Sequence, residues 1–541
     1  LQKAKAQDDL AYSMLPEFII ELPRDESHGD FATNAAMLMA KEAKRKPREI
    51  AQIIADNFPT DLICGLTLEI AGPGFINFRM PKDWLNQCLS EIIDQGKNFG
   101  SSPVGQGKKI QVEFVSANPT GELHMGNARG AAIGDTLASL LAICGYEVER
   151  EFYVNDAGNQ IQKFGASLEA RYLQILGEDI PFPEDGYHGE DIKTTMEELI
   201  AKDGDKYKNI DSALRQELFI KYALAKKLKS IKETLLAFGV KYDVWFSEQS
   251  LHDSGAIKKI VNTLQNNNRL YRKEDALWLD CQSVGEEKDE VLVRSNGVPT
   301  YYAADIAYHD NKFQRGFDTV INIWGADHHG HVARMKDAME ALGYDKERLQ
   351  IILMQLVRLY RNGEILRMSK RTGTYVTLAE LMEEVGKDAA RFFFVMRSAD
   401  SQMDFDLDLA VSQSADNPVY YVQYAHARIC SILASAKETG YKMDIEKANL
   451  SLLQESAELA LIRKMADFPD ELIYAAQHFE PHRIAAYVQE LASAFHHFYT
   501  DCRVLGDDRE LSLARLTLAQ GTANIIKSGL NIMGVSAPEK M

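Results

Sequence analysis

The chain has 541 residues, 45% hydrophobic and 26% charged, with 79 acidic against 61 basic side chains and a formal net charge of −18. That length allows about three or four domains; the composition excludes a disordered or fibrous chain, and the apolar runs fall far short of the roughly 20 residues that a membrane-spanning helix needs. The acidic balance argues against nucleic acid held by the surface as a whole and leaves that task to local basic stripes, while six cysteines (Cys64, Cys88, Cys144, Cys281, Cys430 and Cys502), no two within ten residues, exclude a CxxC motif and fit a reducing cytoplasm.

No secretory leader is read at the start. Residue 1 is Leu rather than Met, so native residues are expected upstream of it. Residues 1–105 read as a small α+β domain: "TNAAMLMAKEAKR" from Thr33 has helical spacing, and "LEIAGPGFINFRM" from Leu68 reads as two strands about a Gly-Pro-Gly turn. "KEAKRKPR" at 41–48 is a first basic stripe, as much a solvated helix face as a nucleic-acid contact. "GSSPVGQGKK" at 100–109 has the composition of a linker.

Residues 106–405 read as a Rossmann-like, doubly wound α/β domain. "IQVEFVSAN" puts Ile110, Val112 and Phe114 on one side of a strand. Helical spacing follows Gly126 through Ile133, Leu137, Leu140 and Leu141, and "YEVEREFYVND" from Tyr146 is the next strand, which makes a β-α-β unit. From about 160 to 245 the chain is charged and helical, an insertion that contains a second basic stripe, "KYALAKKLKSIK" at 221–232. Strand-like runs return in "DEVLVRSNGVPTYYAADIAYH", "DTVINIWGADHHGH" and "LQIILMQLVRLYRNGEILRM". Residues 406–541 are almost wholly helical in pattern and form a third, all-α domain.

"SANPTGELHMGNARGAA", Ser116 to Ala132, lies where the first strand of the doubly wound domain gives way to a helix. A glycine-containing loop opening a helix at the carboxyl edge of a parallel sheet is a seat for phosphate, because helix N-terminal N–H groups and the helix dipole favour anions. His124 can donate to an oxyanion, Asn127 can donate through its amide, and Gly126 admits a close approach to the backbone. A plain turn is the other reading of this stretch. G-x-G-x-x-G is absent, and "GSSPVGQGKK" lacks both the glycine spacing and the hydroxyl residue of a Walker loop.

"PTGELHMGNARGA" resembles the HIGH signature of class I aminoacyl-tRNA synthetases, and "RMSKRTG", Arg367 to Gly373, resembles their KMSKS loop, in the same order and about 240 residues apart. "VEFVSANPTGELHMG", "YVNDAGNQI", "GKDAARFFF", "NPVYYVQYAHAR", "HGDFATNAAM" and "GVSAPEKM" narrow the resemblance to the arginyl-tRNA synthetases, over essentially the whole chain. The resemblance implies an arginine–tRNA ligase. Such an enzyme forms arginyl-adenylate and pyrophosphate from L-arginine and ATP with Mg²⁺, then transfers arginine to the terminal adenosine of tRNA(Arg). It also implies catalytic His124 and Lys370, an ATP site of His124, Gly126, Asn127, Gly325, Asp327, Met368, Ser369 and Lys370, and a cytoplasmic monomer. Asn127 stands where HIGH has its second His, Arg367 where KMSKS has its first Lys, and Arg371 where it has its final Ser.

A guanidinium is planar, permanently charged and forked, so its pocket needs carboxylates that can match the fork. By the resemblance, Glu113, Tyr301 and Asp305 bind the side chain of arginine, Ser116, Asn118 and Asn127 its α-amino and carboxylate end, and His328 a further edge. Tyr301 and Asp305 share a face if their segment is helical. "HHGH" at 328–331 lacks the H-E-x-x-H pattern, so no tightly bound metal is expected, and "DFDLDLA" at 404–410 lacks the Gly and Glu of a calcium loop. The all-α domain resembles the family's anticodon-binding bundle, with Tyr420, Tyr424 and Arg428 as RNA contacts; without the resemblance, core packing explains the tyrosines as well. The N-terminal domain resembles a module that contacts the tRNA elbow. Two readings stand against the ligase: a non-catalytic binding paralogue, which intact motif residues disfavour, and a nucleotidyltransferase, which leaves the helical domain unexplained.

Overall fold

The structure is a computed structural model, and it describes all residues except 17, 22, 24–27, 60–64, 82, 282–288, 367–375 and 442–447. At its centre lies a five-stranded sheet of β1 (Lys109–Glu113), β2 (Glu147–Val154), β3 (Val244–Ser247), β4 (Thr319–Gly325) and β5 (Leu349–Met354). The spatial order is β5-β4-β1-β2-β3 and every pairing is parallel. The winding runs outward from β1 through β2 and β3, then restarts on its other side with β4 and β5. The carboxyl ends of β1 and β4 therefore flank the switch point, where α/β sheets of this kind bind their ligands. Ile110 to Phe114 are all buried. Helices cover both faces of a parallel sheet, so even the polar side of β1, Gln111 and Glu113, never meets water.

Helix α1 (Met125–Ile143) follows β1 and is buried along most of its length, with Gly134 packed so closely on Phe114 that a Cβ there would lie 2.2 Å from the ring. Helices Gly158–Ile175, Glu190–Asp203 and Ser212–Ala237 form the insertion, with a small core of their own around Phe164, Tyr172 and Phe219. Of its basic stripe only Lys227, paired with Asp191, is buried; Lys226 pairs with Glu198 at the surface, and the Lys232 ammonium lies 4.6 Å over Trp245. The stripe at 41–48 instead stays exposed, on the turn between helices Ala35–Ala43 and Pro47–Asp56.

One element differs from its sequence pattern. In "DEVLVRSNGVPTYYAADIAYH" only Glu290–Val293 is a strand, and Tyr301–Gln314 is helix α2. Thr300 is its extended N-cap residue, and Tyr302, Ala303, Ile306 and Ala307 bury one side of it. Tertiary burial of this stripe overrides the β-like look of a Tyr-rich segment. The N-terminal four-stranded sheet is antiparallel, with Phe31–Thr33 and Thr67–Ala71 flanking Phe75–Arg79. Helix Trp84–Gln95 buries Leu85, Leu89 and Ile92 in the core of the C-terminal helices, while Trp84 meets Phe31 edge-on. Those C-terminal helices begin with α3 (Pro418–Glu438) and end with Arg509–Ile532, and their core is continuous with that of the central sheet.

Candidate active site at the sheet switch point

β1 ends in a kink. Val115 and Ser116 have φ of 71° and 40°, and the Ser116 N–H donates to the Phe114 carbonyl at 3.0 Å, which makes a tight γ-turn about Val115. A β-branched residue at positive φ is strained. The Ser116 hydroxyl holds the turn by donating to Glu113 Oε1 at 2.8 Å and accepting the Tyr153 N–H at 3.1 Å. Asn118 then reaches the first turn of the insertion, its Nδ2 donating to Gln160 Oε1 at 3.0 Å.

The chain next enters α1 through a capping box built from residues that rarely make one. His124 Nδ1 accepts the Gly126 N–H at 3.2 Å, and Asn127 Oδ1 accepts the His124 N–H at 3.0 Å. With Nδ1 an acceptor, the proton of the neutral ring sits on Nε2. A Cβ on Gly126 would lie 3.2 Å from His124 Cε1, so the glycine lets the imidazole lie against the helix terminus. Asn127 spends its oxygen on the cap and keeps its amide nitrogen as donor.

Arg367, Met368, Ser369 and Lys370 lie outside the described residues. Both flanks of their segment are anchored. On one side the Leu366 N–H donates to the Leu359 carbonyl at 2.9 Å. On the other, Thr377 bridges to His124, and the Leu378 N–H donates to the Leu123 carbonyl at 2.8 Å. The chain that follows the KMSKS-like segment thus returns, at Thr377, to the N-cap residue of α1.

At the end of β4, Gly325, Asp327 and His328 line the opposite lip, with the Asp327 and His328 side chains largely exposed and 3.9 Å apart. The histidine that meets Asp305 is His331, whose Nε2 lies 3.2 Å from Asp305 Oδ2. Tyr301, one turn before Asp305 on α2, is 72% exposed, its ring 6.3 Å from that of His331. Glu248, just past β3, is a further acid here. Burial raises its pKa, the Asp305 charge adds to that, and the Tyr153 hydroxyl bonded to it works in the opposite sense. Sequence reasoning did not name Glu248, and met His331 only as the last residue of "HHGH", weighed there as a metal ligand. The signal for Glu248 was its place immediately after a parallel strand, at the edge where ligands sit.

Glu113 is buried, with both oxygens engaged: Oε1 by Ser116, Oε2 by Lys312 Nζ at 2.5 Å. Burial pushes this carboxyl up, and the Lys312 ammonium with the Ser116 hydroxyl more than reverses that, so it stays below the usual carboxylate range. His309 is fully enclosed on α2. It makes a 2.7 Å contact from Nδ1 to the Asp305 carbonyl and accepts the Asn322 amide at Nε2. Burial first, then the Lys312 charge, lower its pKa from 6.5 to about 4. The unfolded chain takes up this proton near pH 6.5 and the folded chain only near pH 4, so acidification through that window favours unfolding. The thermal midpoint is expected to fall as pH drops from 6.5 to 4, and His309→Gln to make that fall shallower, as scanning calorimetry across the range would show.

On α3, Tyr420 and Tyr424 stack at 6.0 Å with 8° between planes, and the Arg428 guanidinium lies 4.5 Å over Tyr424 and 4.9 Å over Tyr499. His426 faces inward instead, its Nδ1 2.9 Å from the Pro538 carbonyl. Among the described residues no group of three or more His, Cys, Asp or Glu converges as a metal site, and no helix is long and apolar enough to cross a membrane.

Three family models match the chain: the arginyl tRNA synthetase N terminal domain at 2–80, the tRNA synthetases class I (R) catalytic domain at 88–430, and the DALR anticodon binding domain at 422–541. An arginine–tRNA ligase of Heliobacterium modesticaldum is 60% identical over 100% of this chain and 97% of its own length. One from Moorella thermoacetica is 58% identical over 99% and 96%. A crystal structure of an arginyl-tRNA synthetase from Campylobacter jejuni is 37% identical, covers 85% of this chain and 100% of its own, and superposes with a TM-score of 0.78.

Proposed function

This chain belongs to the arginyl-tRNA synthetase family and is an arginine–tRNA ligase, and from that premise we propose how its residues divide the work. The enzyme uses ATP, arginine and tRNA. In the first step a carboxylate oxygen of arginine attacks the α-phosphorus of ATP; the new O–P bond forms as the bond to pyrophosphate breaks, and the charge leaves with pyrophosphate. In the second, a ribose hydroxyl of the terminal adenosine attacks the arginyl carbonyl and AMP departs. Both steps ask the protein for position and for charge stabilisation rather than for covalent chemistry.

His124, through Nε2, and the N-terminal amides of α1 donate to the phosphates of ATP. Gly126, Gly325 and Asp327 border the nucleoside, and Met368, Ser369 and Lys370 hold the pyrophosphate side. Mg²⁺ travels on the phosphates as part of that substrate. Asn127 lies between ATP and arginine. Asn118 and Ser116 attend the α-end of arginine and His328 its rim, while Asp305, Glu248 and Tyr301 meet the guanidinium above Glu113. Tyr420, Tyr424 and Arg428 stack on splayed anticodon bases, and the N-terminal domain contacts the tRNA elbow. The enzyme acts as a cytoplasmic monomer.

The observation that supports this reading is the joining of Thr377 and Leu378 to Leu123 and His124, which returns the chain just after the KMSKS-like segment to the N-terminal end of α1. Arginine-dependent ATP–pyrophosphate exchange, measured with and without tRNA(Arg), tests it. Exchange is expected at least in the presence of tRNA. Its absence in both conditions, with tRNA still bound, would turn the reading toward a non-catalytic binding protein.

A further inference from the structure

Beneath the arginine site, three buried polar residues stand side by side across the sheet. Asn322 of β4 is in register with Glu113 of β1, and Glu113 with Glu151 of β2. One side of α2, continued by Arg315, answers them in turn. His309 takes the Asn322 amide; Lys312 Nζ donates to Glu113 at 2.5 Å and to Asn322 Oδ1 at 2.8 Å; Tyr308 donates to Glu151 at 2.5 Å, and Arg315 at 2.6 Å. Lys312 is 0% exposed, and its ammonium also lies 4.2 Å over the Tyr308 ring. It sits two turns along α2 from Asp305, so one helix carries both an acid at the site and the cation beneath it.

A buried ion pair is a poor way merely to fasten a helix to a sheet, since well-packed apolar residues of similar volume hold as well or better. What apolar residues cannot do is fix the direction of a carboxylate. Lys312 does so for Glu113, whose other oxygen is tied through Ser116 to the strained turn that delivers Asn118. It also offsets one of the acids that gather where a guanidinium is to bind: Glu113, Glu248 and Asp305.

We propose that Lys312 is a positioning residue for arginine selection, holding the β1 acid and the substrate-facing end of α2 in one fixed relation from below. The inference rests on the arginine-site reading given above. It is tested by ATP–pyrophosphate exchange with tRNA present, taking KM for arginine and for ATP separately, on Lys312→Met, Lys312→Arg and the charge-neutral double variant Glu113→Gln/Lys312→Met, with the thermal midpoint of each.

Lys312→Met is expected to raise KM for arginine about tenfold or more while KM for ATP stays within about twofold. Lys312→Arg, which keeps the charge, recovers part of that loss. The double variant removes both buried charges, so it regains thermal stability but keeps the raised KM for arginine; Glu113→Gln alone is the control against which it is read, because Glu113 itself lies in the arginine site, and Lys312→Arg decides the matter if Lys312→Met does not fold. An unchanged KM for arginine, an equal rise for both substrates, or a double variant that binds arginine like the wild type would each overturn the proposal and leave Lys312 a structural residue. Asp305→Asn separates the two readings: if it too leaves KM for arginine unchanged, the arginine site itself has been misplaced.

Discussion

Lys370→Ala is expected to slow arginyl-adenylate formation on the order of 10²–10³-fold, the usual cost of removing one preorganised group from a developing charge, with KM for arginine changing by no more than about twofold. The reason lies in when the charge appears. In the proposed arrangement the phosphates of ATP share their charge, before reaction, with Mg²⁺ and the amides of α1. As the α–β bond breaks, negative charge accumulates on the leaving pyrophosphate, and a cation on the KMSKS-like segment meets it only then. An interaction made mainly in the transition state lowers kcat and kcat/KM together and leaves substrate binding alone. Thr377 and Leu378, which follow that segment in the chain, are anchored on His124 and Leu123 at the N-terminal end of α1. Single-turnover formation of the adenylate, set beside equilibrium binding of arginine, checks this directly. Equal losses in both would mean that Lys370 contributes to binding and has no special role at the transition state.

Asp305→Asn should do the opposite. KM for arginine is expected to rise on the order of 10²-fold, because a charge pair shielded from water loses roughly 2–5 kcal/mol when one partner is neutralised, while KM for ATP stays near its starting value. The substitution keeps the shape, removes the charge and replaces one acceptor oxygen with a donor that a guanidinium cannot use. Asp305 is held by His331 at 3.2 Å and stands one turn from Tyr301. Glu248→Gln makes the natural companion. The Asp305 charge helps raise the Glu248 pKa, so the two acids sense each other and a guanidinium between them would relieve both. If the losses from the two substitutions simply add, with no interaction between them, the acids do not share one guanidinium.

Much of this protein could be read in its residues before any fold was known. The strand–loop–helix around "SANPTGELHMG" announces itself through alternation, a glycine and a restart of helical spacing, all of them local signals. The insertion and the helical C-terminal quarter of the chain are legible for the same reason, since helical periodicity needs only neighbours within two turns. The motif residues His124, Gly126, Asn127 and Lys370 belong to contiguous text and are named by it.

The acids and cations gathered around arginine are another matter. Glu113, Glu248, Asp305, Lys312, Asn322 and His331 come from five separate places in the chain, and only Asp305 and Lys312, two turns apart on α2, are connected by a spacing rule. Their meeting depends on strand order: β4 and β1 are neighbours, although about 200 residues separate them, and only that adjacency puts Asn322 beside Glu113 and beneath α2. Strand order also buries both faces of β1, which turns an apparent solvent side into the floor of a site. The sequence by itself determined most local elements, α2 excepted, and the glycine-containing entry to α1, because each rests on contacts between near neighbours. The tertiary structure alone decided which charges face one another, because that depends on long-range pairing and on the removal of water, and neither is written in any one stretch of the chain.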